Sequence, residues 1–424
     1  MHANVVHSMG VLAWLLLAPA LTAGSAAALG PQPGDIYREY AVKLKVGDNW
    51  RVTDPNASHE GAKAFLPNPV LTISIDDLSD AVRAEALIDR WGGHPGTSEK
   101  KIRFNGNEWI ELPELATTPP DHEPLVYMSQ DNPIVEVPLS HLREGENTFE
   151  GTCGDQVAYS MGWGQWGWYG MIVRVYYRPD KPHPAGRIDS PRDGEALGEN
   201  PTIAAAATGD AGISRVDFLA HYEGYDENGD GIYRDWHHNY HNVDIGRHAG
   251  TATTAPYQVV WDTKWLPDQS PRSVKVLARV QDETGMWYVT DPVENLSLAR
   301  DGSSVKLYKP SEVPERFWVR AGRKASCNVN IPAGDDPSRA VEAAIHLRTW
   351  NGHNHGTGTI TRINDWSGAI PGVGHNYGYA IHDIPVTALK SGGNVIQFTS
   401  DTKHHGVEIL WPGPALTVRY STRD

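Results

Sequence analysis

Apolar and polar positions alternate in short runs along most of the chain, and the elements they predict are strands. Val70-Leu71-Thr72-Ile73-Ser74-Ile75 and Ile172-Val173-Arg174-Val175-Tyr176-Tyr177 are β-branched and aromatic runs bounded by Pro, Asp or Gly. From position 82 onward, a period of two sets Val82, Ala84, Ala86 and Ile88 on one face and Arg83, Glu85 and Asp89 on the other. That is the pattern of a strand with one face in a sandwich core. Long capped segments with a 3.6 period are missing, and the best helical candidate is a short turn at 138–142. Pro-rich breaks at 178–184 and around 301–314 divide the chain into three blocks, each about the size of one β-sandwich. The expected fold class is all-β, with three β-sandwich domains.

The first and third blocks repeat each other. The run from Ala81 through Trp91-Gly92-Gly93-His94 aligns with the run from Ala340 through Trp350-Asn351-Gly352-His353, and the register continues to Arg103-Phe104-Asn105 against Arg362-Ile363-Asn364. Further on, Val137-Pro138, Leu142, Gly145 and Asn147 match Ile384-Pro385, Leu389, Gly392 and Asn394. Agreement over several elements argues for duplicated domains. A repeat that occurs twice and is split by a dissimilar block excludes a solenoid. Asn105-Gly106 supplies two residues that tolerate positive φ, as a tight hairpin requires.

The segments Leu142-Arg143-Glu144-Gly145-Glu146-Asn147-Thr148 and Leu389-Lys390-Ser391-Gly392-Gly393-Asn394-Val395 resemble the L-x-x-G-x-N-x turn that precedes a late strand in galactose-binding-like jelly rolls. The resemblance implies a jelly roll at 36–178 and another at 304–421, of the kind that binds sugars at the front of many glycoside hydrolases. The middle block, 185–300, resembles a bacterial immunoglobulin-like module. Its entry Ile188-Asp189-Ser190-Pro191-Arg192-Asp193-Gly194, the strand around Phe218, and Pro256-Tyr257-Gln258-Val259-Val260-Trp261-Asp262 carry that likeness. The stretch between Phe218 and Pro256 is long for such a module.

Composition narrows the functional classes. Lys+Arg 37 against Asp+Glu 52 gives a formal charge of −15, with no dense basic run, which disfavours a phosphate-neutralising nucleic-acid binder. Gly 42 and Pro 30 exceed their ordinary combined share of about 12% and stay below the roughly 25–30% that signals disorder. Residues 11–21 form an apolar stretch too short to span a bilayer, followed by Ala26-Ala27-Ala28. Residues 1–28 are therefore expected to be a signal peptide, which predicts a secreted, periplasmic or cell-surface protein with no membrane span. The two cysteines, Cys153 and Cys327, fall in different blocks and are either bridged in that oxidising space or buried as free thiols.

Asp226-Glu227-Asn228-Gly229-Asp230-Gly231-Ile232 fits D-x-[DN]-x-D-G-x. In such a loop the side-chain oxygens of Asp226, Asn228 and Asp230 and the backbone carbonyl of Ile232 converge on a hard cation. Position twelve is His237 rather than Glu, so this is not an EF-hand; Asp235 is the candidate closing carboxylate. The expected cofactor is structural calcium, and a solvated acidic turn is the alternative. Nineteen His, nine of them at 237–241, 353–355, 375, 382 and 404–405, raise the question of a zinc or copper site, but no H-E-x-x-H is present.

Fifteen Trp against six Phe implies indoles at surfaces. Trp163-Gly164-Gln165-Trp166-Gly167-Trp168-Tyr169-Gly170 places Trp166 and Trp168 on one face, as a glycan platform or as filling for the seam between the first two blocks. Trp91 with His94, Trp350 with His353, and Trp411 are the further ligand candidates. No catalytic nucleophile or carboxylate pair stands out. The sequence reads as a non-catalytic binder of carbohydrate or another cell-surface polymer, with avidity from two copies of the outer module. A polysaccharide-active or metal-dependent enzyme and a structural envelope or adhesion protein are the alternatives.

Overall fold

The computed structural model describes residues 29–44, 50–115, 127–157, 162–351, 359–370, 376–403 and 405–422. The described chain is predominantly β-sheet, in several sheets grouped around three main cores. The long strand Gln165–Tyr177 runs antiparallel between Ile36–Lys43 and Ala81–Trp91, and Ile36–Lys43 also pairs with Met286–Val289 of the middle block. Thirteen strands of the first two blocks thereby join in one continuous sheet. Facing it are a four-stranded sheet in the first block and a three-stranded sheet in the second. The third block has its own six- and five-stranded sheets. The short turn expected at 138–142 is a 3-10 helix, Leu139–His141, matched in the third block by Val386–Ala388.

The duplication is visible in the pairing. In the first block Gly167 pairs with both Trp91 and Arg51; in the third, Glu408 pairs with both Trp350 and Trp318. The turn motif is duplicated bond for bond. Asn147 and Asn394 are fully buried, and the amide of each donates to two carbonyls of its own turn, Arg143 and Gly145 or Lys390 and Gly392. Asn105 and Asn364 both take positive φ and donate to those buried amide oxygens. The two polar side chains satisfy a tight turn that the sandwich core encloses.

The polar face of Ala81–Trp91 differs from a solvated sandwich exterior. Glu85 and Asp89 are buried, and so is Arg174 opposite Glu85. The insertion between Phe218 and Pro256 explains this, because its hairpin, Asn239–His241 with Asp244–Gly246, lies on that face. Tyr240 packs on Leu87 and Ile172, while its hydroxyl accepts from Arg174 and Arg279. Asp89 accepts from the backbone N–H of Asn242 at 2.7 Å and contacts His241 at 3.1 Å. Charged positions that read as exterior thus become a paired, buried joint between blocks.

Both cysteines are free and buried, in separate cores. No described helix is long and apolar enough to cross a membrane.

Candidate functional site

The first and third blocks dock against each other, and the joint is polar. Arg348 donates to Gln130 Oε1 at 2.6 Å, and Gln130 in turn donates to Asp89. The second ring nitrogen of His241 meets Asn376 at 2.9 Å, and the backbone N–H of Trp411 donates to the Met128 carbonyl at 2.7 Å. That backbone bond and the Tyr225 hydroxyl, which donates to the Gly413 carbonyl at 2.8 Å, carry the contact across all three blocks.

Docking leaves a cleft of about 510 Å³ between the equivalent ends of the two duplicated blocks. Trp50, Arg51, Trp91 and His94 line it from the first block, and Trp318, Trp350, Tyr377 and Glu408 line it from the third. Trp50 is stacked against Tyr169 with centroids 5.1 Å apart and tilted against Trp91, also at 5.1 Å. The Arg51 guanidinium lies over the Trp50 ring at 4.9 Å and donates to Gln165 Oε1. Opposite, Trp350 lies 5.9 Å from the His405 ring, and the Arg320 guanidinium sits 4.1 Å from the Trp318 centroid. Tyr169 and Tyr377 meet edge to face at 5.2 Å.

Backbone geometry sets the His94 wall. Gly93 has a φ of +83°, and a Cβ there would lie 1.7 Å from the Gln165 carbonyl oxygen, so no other residue fits without moving the strand. That carbonyl accepts the His94 N–H at 2.8 Å. His94 Nδ1 is 2.9 Å from the Trp163 carbonyl, and burial holds its pKa below the ordinary imidazole value, leaving the ring neutral at pH 7. Burial likewise raises Glu408 to about 8, with Arg51 opposing. One oxygen of that carboxyl, Oε2, is enclosed with no hydrogen-bond partner.

The structure brings together Trp91, His94 and Trp350, which lie in different blocks of the sequence, in this one cleft. It does not make two separate ligand surfaces. Trp166 and Trp168 need correction, because both rings are 0% exposed inside the first core, where Trp168 meets Phe149 at 5.3 Å. They neither form a platform nor fill the seam between blocks. Their equivalents by pairing, Val407 and Ile409, are core residues of the third block. Trp411 is also buried, under the Tyr127 ring at 4.4 Å, and serves the joint between blocks. His353 lies outside the described residues, as do residues 1–28, His355, His375 and His404.

The acidic loop is folded by its own hydrogen bonds. Asp226 accepts from the backbone N–H groups of Gly229, Asp230 and Gly231, Asp230 accepts from Ile232 N–H, and Asn228 donates to Asp230. Asp235 accepts from Trp236 N–H, and the Ile232 side chain is exposed. Burial, followed by repulsion from Asp230, raises Asp226 to about 7, and burial also raises Asp230. Among the described residues, no group of three or more His, Cys, Asp and Glu side chains is arranged to hold a metal.

An Ig-like domain is present within this all-β, multidomain chain. Residues 184–276 match the family described as bacterial Ig domain. No curated protein matches the sequence. Among solved structures, the chain is similar to BpGH86A, a β-porphyranase of glycoside hydrolase family 86 from the human gut bacterium Bacteroides plebeius. Identity is 14%, over 53% of this chain and 35% of that one, with a TM-score of 0.23. It is similar to BuGH86wt, solved in complex with neoagarooctaose, at 11% identity over 63% of this chain and 40% of that one, with a TM-score of 0.23. The fibronectin(III)-like modules of Clostridium thermocellum CbhA match at 12% identity over 52% of this chain and 97% of those modules, with a TM-score of 0.17. The chain thus spans well under half of the two GH86 chains.

Proposed function

We propose that this is a secreted carbohydrate-binding protein whose duplicated outer blocks are galactose-binding-like jelly rolls, and that the cleft between them takes the sugar. The observation that carries the reading is the arrival of Trp91 and Trp350, from equivalent strand positions, in one cleft with Trp50 and Trp318. Sugar rings have an apolar C–H face and a hydroxyl rim, so indole faces beside Arg, His and Glu supply both kinds of contact. A volume of about 510 Å³ suits a short oligosaccharide segment. The decisive experiment is a glycan array on the protein, followed by titration of the best binder. Trp91→Ala and Trp350→Ala should each weaken binding about tenfold or more while unfolding stays cooperative. Unchanged affinity in both variants overturns the assignment.

We also propose that calcium occupies the loop through Asp226, Asn228, Asp230 and the Ile232 carbonyl, with Asp235 nearby, in a structural role. The loop supports it by gathering Asp226, Asn228 and Asp230 in one turn around Gly229 and Gly231, where a cation would offset the cost of burying two carboxylates. Chelation should lower the melting temperature and increase proteolysis near Gly229, and Asp230→Asn should abolish the response to added calcium. No change on chelation removes the claim.

A further inference from the structure

We infer that the saccharide held by this cleft is anionic, bearing a carboxylate or a sulfate ester, and that Arg51, Arg316 and Arg320 receive its charge while Glu408 donates a hydrogen bond to it. This rests on the carbohydrate reading of the same cleft. The charge pattern points there first. The chain as a whole carries a formal −15, yet three arginines line the cleft and Glu408 is the one carboxyl among the described lining residues. Guanidinium groups laid on indole rings, as Arg51 on Trp50 and Arg320 on Trp318, offer their N–H edges while the rings hold their planes.

The duplication points the same way. Gly167 occupies in the first block the pairing position that Glu408 occupies in the third. The fold therefore forms this strand end without any side chain in the first block, and the carboxyl is particular to the third. Its Oε2 is enclosed and has no protein partner. The groups that face it are Arg51, Tyr169 and Tyr377, with His94, His405, Arg316 and Arg320 around the same cleft. Burial holds the carboxyl protonated at neutral pH, and an acid in that state has an O–H that needs an acceptor. Glu408 lines the cleft and is only partly buried, so the oxygen an oxyanion on the sugar reaches is Oε1 and not the enclosed Oε2, and a protonated acid against an anion makes a strong, short hydrogen bond.

The test compares oligogalacturonate and a sulfated carrageenan oligosaccharide with their carboxyl-reduced and desulfated counterparts by calorimetric titration. At least one anionic sugar should bind about tenfold or more tightly than its uncharged counterpart, and Arg51→Met should shrink that difference several-fold. Wild-type affinity for the anion should fall between about pH 6.5 and about pH 9.5, on either side of the Glu408 value of about 8. Glu408→Gln, which stays neutral and keeps a donor, should bind at the lower pH and lose that fall. Equal or tighter binding of the uncharged sugars overturns the inference and leaves the carbohydrate reading standing. Binding of neither kind overturns both. A pH-independent wild type, or a Glu408→Gln variant that is folded but does not bind, overturns the role given to Glu408.

Discussion

Asn147→Ala and Asn394→Ala should each destabilise the protein by about 3 kcal/mol, because each strands several enclosed polar groups at once. Asn147 Oδ1 accepts from Arg143 N–H at 2.9 Å and from Asn105 Nδ2 at 2.8 Å, while its amide donates to the Arg143 and Gly145 carbonyls. Asn394 makes the same four bonds to Lys390 N–H, Asn364, and the Lys390 and Gly392 carbonyls. Water cannot replace these partners, since both asparagines are 0% exposed. Alanine removes four bonds and leaves the turn without the groups that closed it. Denaturant titration measures the loss, and limited proteolysis shows which block opens, the first for Asn147 and the third for Asn394. A loss below about 1 kcal/mol in either variant would mean that the turn holds its shape without the side chain.

These asparagines were legible in the sequence because the information is local: a turn, its spacing and its repetition. The cleft was legible only in part. Trp91 and Trp350 stand out because the repeat aligns them, yet nothing in either block alone says that the two face each other. Trp166 and Trp168 show why alternation fails in the centre of a large sheet. Every residue of Gln165–Tyr177 is buried, so period two still sorts the side chains into two faces but no longer says which face meets solvent. Trp411 is hidden by a residue of another block, Tyr127, and no pattern around it could reveal that. Glu408 did leave a trace, a single acid between Val407 and Ile409, which suits a strand position aimed away from the core. Its importance depends on Arg51, more than 350 positions earlier in the chain.

Asp131→Ala should cost about 3 kcal/mol, because it removes the carboxylate that the enclosed Arg90 guanidinium pairs with and leaves Glu114, which is already paired with Lys100, as the acid whose charge still acts on it. Arg90 donates to Asp131 through Nε at 2.8 Å and through Nη2 at 2.6 Å, with the two side chains 1% and 3% exposed. Its remaining described bond, to the Pro113 carbonyl at 2.9 Å, does not neutralise it. The pair belongs to the joint as well as to the core. Asp131 follows Gln130, which pairs with Trp91 and connects Asp89 to Arg348 of the third block. Loosening that short strand should therefore weaken the sugar binding proposed for the cleft, through Trp91, in addition to lowering the unfolding free energy. The double variant Arg90→Met with Asp131→Leu separates the two effects. Removing both charges should recover most of the stability, since the cost of the single change lies in the orphaned cation. Sugar affinity should recover with it if the strand is held by packing, and denaturation and titration on the same three proteins read both. A double variant no more stable than Asp131→Ala would show that the bidentate geometry itself, rather than the avoided charge, holds Gln130 and Trp91 in place.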